Sequence, residues 1–192
     1  MPKINKTRYA ILGVLNLKPC SGYDIKKFCD QGIAHFWNEN FGHIYPVLKQ
    51  MEQEGLITKE VEENEGRPPR HVYSITPKGQ AELTRWLLLP VEPAPARLEL
   101  LLKLYFAKSI PREKILEQLA QVREKHRKRL NQMRQMEQGF ISNEAARNDE
   151  GYPYWLATLR YGIYDAEFRL KWLDETMEMI KNHEKPNHPF RN

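Results

Sequence analysis

The sequence predicts a mainly α-helical chain with one small β-hairpin, divided into an N-terminal and a C-terminal half. Three observations predict it. Apolar residues recur at helical spacing through most of the chain. The only short β-branched runs flank a Gly- and Pro-rich loop near residues 64–69. Prolines at positions 90, 93 and 95 then separate the first part from a second that is helical throughout. The expected boundaries are residues 1–90 and 91–192.

Taken in order, Ile11, Val14 and Leu15 place a first helix over residues 6–17, stopped by Lys18-Pro19. Ser21 has the signature of an N-cap, with Asp24 three residues later as its capping-box partner, so a second helix runs from Gly22 to about Asp30 and ends at Gln31-Gly32. After an aromatic connector with Phe36 and Trp37, Ile44, Val47, Leu48 and Met51 share one face of a third helix. Pro46 lacks an N–H and belongs in a first turn, which puts the start near His43. The opposite face carries His43, Tyr45, Lys49, Gln50 and Gln53, and Gly55 ends the helix. Residues 56–61 and 71–75 read as the two strands, and Thr76-Pro77 opens a fourth helix with Thr as N-cap and Pro at its first position.

Three helices followed by a hairpin is the winged-helix order. Its second and third helices form a helix-turn-helix, whose third helix can enter a major groove about 12 Å wide. On that geometry Asn40, His43, Tyr45 and Lys49 are the candidate DNA contacts from the helix, with Arg67 and Arg70 from the hairpin. The acidic residues Glu60, Glu62, Glu63 and Glu65 partly cancel the field of those arginines.

These residues resemble the PadR family of bacterial transcriptional regulators. The resemblance rests on Tyr9-Ala10-Ile11-Leu12-Gly13-Val14-Leu15, Ser21-Gly22-Tyr23-Asp24-Ile25, Phe36-Trp37, Ile44-Tyr45-Pro46-Val47-Leu48, Glu54-Gly55-Leu56-Ile57, and the run from Gly66 to Gly79, in that order and spacing. It implies a homodimer that usually represses its targets and is often released by a small-molecule effector, which the resemblance does not identify. The C-terminal half resembles the long-form members in length and helical pattern.

In the second part, Leu98, Leu101, Leu102, Tyr105 and Phe106 form an amphipathic helix. A long helix restarts near Ser109 or Ile110, with Ile115, Leu119, Val122, His126, Leu130 and Met133 in its stripe, and ends between Gly139 and Asp149. The last helix carries a heptad seam of Leu156, Leu159, Ile163, Ala166, Leu170, Leu173, Met177 and Ile180. A neighbouring aromatic stripe holds Tyr161, Tyr164, Phe168 and Trp172. One helix with two sticky faces needs two partners. The seam residues Leu159, Ile163, Ala166, Leu170, Leu173 and Met177 are assigned to dimerisation, the alternative being an intramolecular bundle core. Trp155, Tyr161 and Trp172 are candidates for a planar effector, with plain core as the other reading.

The remaining features exclude more than they suggest. The formal net charge of +5 suits a polyanionic partner without requiring one. Cys20 and Cys29 lack metal-type spacing, and His183 and His188 alone do not make a metal site. The run Lys125-His126-Arg127-Lys128-Arg129 reads first as a solvated helix face. No phosphate loop, dinucleotide fingerprint, zincin helix or nucleophile elbow occurs, so no catalytic residue, metal or cofactor is expected. Without a signal peptide or membrane-length apolar run, the expectation is a cytoplasmic protein whose partners are double-stranded operator DNA with an inverted repeat and a second copy of itself. An activator of the same architecture, and a winged-helix interaction module that does not bind DNA, are the alternatives.

Overall fold

The computed structural model describes residues 6–37, 44–62, 69–93 and 97–183. The chain forms two compact units, Met1–Ala94 and Pro95–Asn192. The first is built from α1 (Thr7–Leu17), β1 (Cys20–Ser21), α2 (Gly22–Phe28), α3 (Ile44–Gln53), β2 (Ile57–Glu62), β3 (Arg70–Ile75) and α4 (Pro77–Leu87). The second holds α5 (Glu99–Tyr105), α6 (Arg112–Ser142), the short α7 (Glu144–Arg147) and α8 (Tyr152–Asn182). The fold is mostly helical with one small antiparallel sheet, as expected.

Helix boundaries follow local chemistry. The Ser21 hydroxyl accepts from the Asp24 N–H at 3.3 Å, and the Asp24 carboxylate accepts from the Ser21 N–H at 3.1 Å, closing the capping box of α2. Two orphan donors are thereby satisfied at once. The helix does not stop at Gln31-Gly32: the chain continues through a π-helical turn, Cys29–Ile33, which keeps Cys29 fully buried. At the end of α3, Gly55 takes φ +70°. There the Leu56 N–H bonds to the Met51 carbonyl at 2.9 Å and the Gly55 N–H to that of Glu52 at 3.0 Å. This is a Schellman stop, which needs the left-handed conformation that glycine adopts without penalty. Thr76 caps α4 by accepting from the Gly79 N–H at 3.1 Å.

The sheet has order β1-β3-β2 and so gains a strand that the sequence pattern does not announce. Cys20 and Ser21 pair with Tyr73 and Val72, while Ile57 to Glu62 pair in register with Ile75 to Arg70. Two residues are too few to show a period, and they join the sheet only because β3 offers a free edge. The unit's core collects Ile11, Leu12, Leu15, Ile25, Leu48 and Met51 with the strand residues Ile57 and Tyr73. Tyr9 stacks on Trp86 at 4.4 Å, locking α4 against α1.

In the second unit α6 begins at Arg112 after Pro111, two or three residues later than Ser109 or Ile110, because Ala107–Ser109 form a 3-10 turn. It then runs unbroken to Ser142, through Gly139, which no turn requires to break. Helices α6 and α8 pack side by side. One apolar cluster holds Leu130, Met133, Leu159, Ile163 and Ala166, and another Ile115, Leu119 and Leu173. Ion pairs Arg134–Glu167 (2.7 Å) and Arg160–Glu137 (2.7 Å) tie the pair together along its exposed flank, with Arg123–Asp174 further along. The Arg112 guanidinium donates to the carbonyls of Lys181 and His183, satisfying groups that the end of α8 leaves open.

This arrangement corrects the assignment of the heptad seam to a second subunit. Leu159 and Ile163 are 4% exposed and Ala166 and Leu173 1%, and what covers them is α6 of the same chain. Leu170 and Met177 pack half-buried against the same clusters. The outward face is the aromatic stripe, where Tyr161, Tyr164 and Phe168 remain 64%, 64% and 67% exposed. The stronger period marks the internal contact because a partner in the same chain is always present.

Candidate nucleic-acid interface

Helix α3 is sharply two-sided. Ile44, Leu48 and Met51 are buried, while Tyr45, Lys49, Gln50 and Gln53 are exposed. The buried residues fix the helix on the core, and that alone decides which residues look outward. Its far end is tied down three ways. The Glu54 carboxylate pairs with Arg8 of α1, Lys78 Nζ donates to the Glu54 carbonyl at 2.7 Å, and the Thr76 hydroxyl donates to the Gly55 carbonyl at 2.8 Å. Burial works against the charged form of Glu54, but the hydrogen bonds from Arg8 and Gln50 outweigh it and hold its carboxyl below the usual range.

The exposed side chains differ in freedom. Among the described residues Lys49 has no ion-pair partner, so its ammonium is available to an anion. Tyr45, though 59% exposed, leans on α2: a Cβ added at Gly22 would come within 2.9 Å of its ring. Gly22 thus lets the helix-turn-helix close, and Tyr45 contributes to docking α2 on α3. Gln50 donates to Glu54 at 2.8 Å.

On the wing, Arg70 at the start of β3 donates to the Asp24 carboxylate of α2. Asp24 therefore caps its own helix and holds a residue 46 positions away. The Ser21 hydroxyl first, then the Ser21 N–H and Arg70, keep its carboxyl below the usual range against the opposing effect of burial. Sequence reasoning identifies Asp24 only as a capping residue, since no local signal announces a partner so far along the chain. Of the expected contacts, Tyr45, Lys49 and Arg70 stand on the helix-turn-helix and the adjoining strand. Asn40, His43, Arg67 and the acidic pair Glu63 and Glu65 lie outside the described residues.

The effector candidates do not converge. Trp155 lies over Gly151 in the first turn of α8, Tyr161 points outward, and Trp172 is half-buried near α5. Seventeen residues of helix at about 1.5 Å each put roughly 25 Å between the two tryptophans, so the three cannot line one pocket. Among the described residues no group of three or more His, Cys, Asp or Glu side chains could hold a metal ion, and no helix is long and apolar enough to cross a membrane.

A capped α2, a docked α3 with an exposed polar face and an adjoining two-stranded wing define a winged helix-turn-helix regulator of transcription. Residues 11–85 match the profile of the transcriptional regulator PadR-like family, and residues 96–181 that of the virulence activator alpha C-terminal domain. Residues 11–85 thus form a PadR-like transcriptional regulator family domain. It is 29% identical over 183 residues to a probable transcriptional regulator of Mycobacterium tuberculosis, covering 90% of this chain and 96% of that one. It is 34% identical over 108 residues to the negative transcriptional regulator PadR of Bacillus subtilis, covering 55% of this chain and 59% of that one. The latter's structure in complex with operator DNA superposes with a TM-score of 0.81 at 24% identity, covering 92% of this chain and 99% of that one, a likeness of fold. Its structure in complex with p-coumaric acid gives 0.72 at 26% identity, over 91% and 98%. The Vibrio cholerae virulence activator AphA gives 0.72 at 29%, over 91% and 97%.

Proposed function

We propose that the chain is a homodimeric repressor that reads operator DNA with α3 and its wing and is released by a small-molecule effector. The observation that carries the reading is the exposed face of α3, with Lys49 unpaired among the described residues, opposite a face that is fully buried. Asn40, His43, Tyr45, Lys49, Arg67 and Arg70 are the proposed DNA contacts. Two reading heads in a symmetric dimer meet successive major grooves about 34 Å apart, so the operator is an inverted repeat. Such a protein works in the cytoplasm, where a bacterial chromosome lies. The effector reading is supported by the relative solved with p-coumaric acid.

For the dimer face we propose the aromatic stripe of α8, whose Tyr161, Tyr164 and Phe168 form an apolar band too exposed for an isolated chain. Band-shift titration of the region upstream of the protein's own gene tests the DNA reading. Lys49→Ala weakens binding by about 1 kcal/mol and lowers the salt slope by roughly 0.9. An unchanged affinity across the salt series sinks it. A second reading, activation, is favoured by the C-terminal match to a virulence-activator domain. Deleting the gene separates the two: transcripts of the neighbouring genes rise for a repressor and fall for an activator. Failure to shift any duplex leaves the interaction-module alternative.

A further inference from the structure

Asp24 does more for the reading head than cap α2. Its Oδ2 accepts from the Ser21 N–H at 3.1 Å and from the Ser21 hydroxyl at 2.5 Å, and the same oxygen takes Nη2 of Arg70. The carboxylate is thus fixed by its own capping box as well as by the arginine. Arg70 opens β3 and stands opposite Glu62 of β2 in the register. A cross-strand neighbour of opposite charge, with Cβ atoms about 5 Å apart, is the partner such a position offers by default. Arg70 pairs with Asp24 instead, and Glu62 has no ion pair among the described residues. The guanidinium is therefore turned off the hairpin ladder and toward the helix-turn-helix. Nη2 is taken by Asp24, while Nε and Nη1 have no acceptor among the described residues. The other strand is tied as well, since Lys59 of β2 pairs with Glu52 of α3 at 3.6 Å. The root of the wing is joined to both helices of the reading motif.

The pair is open to water, with side-chain exposures of 46% at Arg70 and 37% at Asp24. Such an ion pair contributes little to folding. Its effect is on direction. We propose that Asp24 is a positioning residue for operator recognition, holding the Arg70 guanidinium in the orientation that meets a backbone phosphate once α3 is seated in its groove. The assignment deepens the reading of α3 and the wing as the DNA-contacting face, and rests on it. A free arginine gives up the freedom of a long side chain on reaching a phosphate, whereas one already held gives up less. The guanidinium fork is planar and rigid, so one anchored amino group sets where the remaining donors point. The carboxylate also has a penalty: it stands beside the cation and repels the phosphates of any duplex. On the operator the register is fixed, and a phosphate falls where Arg70 points. On unrelated DNA that coincidence is lost and the repulsion remains. Asp24 therefore favours the operator twice, by helping the correct complex and by weakening the others.

Band shifts with the full-length protein test this on two duplexes of equal length, one from upstream of its own gene and one of random sequence. Asp24→Asn keeps an acceptor for the Ser21 N–H and removes the charge. Asp24→Gln does the same with a side chain that capping boxes also use, should the first variant fold poorly. Either lowers affinity for the upstream duplex about fivefold and leaves the random duplex bound no more weakly. The melting temperature moves by less than about 4 °C. Asp24→Glu, which retains charge and cap, keeps most of the preference. Arg70→Ala weakens the upstream duplex and lowers the salt slope by roughly 0.9, whereas Asp24→Asn leaves the slope in place. In the Arg70→Ala background Asp24→Asn brings no further loss on the upstream duplex. The assignment alone is overturned by additive losses in the double variant, by equal losses on both duplexes, by tighter upstream binding in Asp24→Asn, or by a slope that Arg70→Ala does not move. If the unaltered protein shifts neither duplex, the DNA reading and the assignment fall together.

Discussion

Among the described residues of the N-terminal unit, fifteen buried ones from all four helices and the strands form a single cluster. In the C-terminal unit the buried residues fall into clusters of five and three, α5 has none, and Tyr154, Tyr161, Tyr164 and Phe168 stand largely in solvent. The first unit closes its core with its own residues. The second is a helical hairpin with apolar surface left over. The difference teaches that the unit carrying α3 is complete enough in itself to hold that helix steady, whereas the C-terminal unit leaves apolar surface that its own described residues do not cover.

The largest effect expected along this comparison comes from Leu48→Ala, which empties a fully buried site at the foot of α3. It costs about 2–5 kcal/mol in denaturant unfolding of the whole chain. A smaller loss would mean that the core can collapse around the gap. Next is Gly79→Ala, whose Cβ would sit 2.1 Å from the Leu56 carbonyl oxygen. Overpacking of this kind costs about 1–3 kcal/mol and should lower the melting temperature without changing the C-terminal helices. Third, Phe168→Ser leaves the hairpin folded but weakens self-association by about 1–2 kcal/mol in sedimentation equilibrium, and an unchanged dissociation constant would move the dimer face elsewhere.

The smallest effects are in pH. Burial first, then Arg169 and Arg129, hold His126 below the ordinary histidine value against the pull of Asp165. Its neutral form is favoured in the folded hairpin, so the associated stability is present above about pH 6.5 and falls as the pH drops below it. Asp24, held low by Ser21 and Arg70, contributes stability above about pH 4 that disappears only at lower pH. Acidification should therefore loosen the C-terminal helices first, by less than about 1 kcal/mol, with the His126→Gln variant insensitive between pH 7 and 5. Simultaneous loss of both units would break the contrast.

Local rules made most of the fold legible. Ser21 and Asp24 announce a capping box, Gly55 a helix stop, and Thr76-Pro77 a helix start, because each motif closes within a few residues. The third strand is hidden because two residues carry no period, and the π-helical turn because its i→i+5 bond, from the Ala34 N–H to the Cys29 carbonyl, has no residue-type signature. Of the candidate site, the two faces of α3 were visible in its spacing, while the Asp24–Arg70 contact depends on tertiary proximity. The heptad of α8 marks a packing surface without naming its neighbour, since a period shows that a face is covered without saying by which chain, and here α6 of the same chain covers it.

The ties at the end of α3 bear on how such a head can be switched. With Glu54, Gly55 and Leu56 anchored to α1, α4 and the helix itself, the C-terminal end of the recognition helix has no hinge among the described residues. A push arriving at that end would be passed to the core of the N-terminal unit, as a key turns with its bow, rather than bending one tooth.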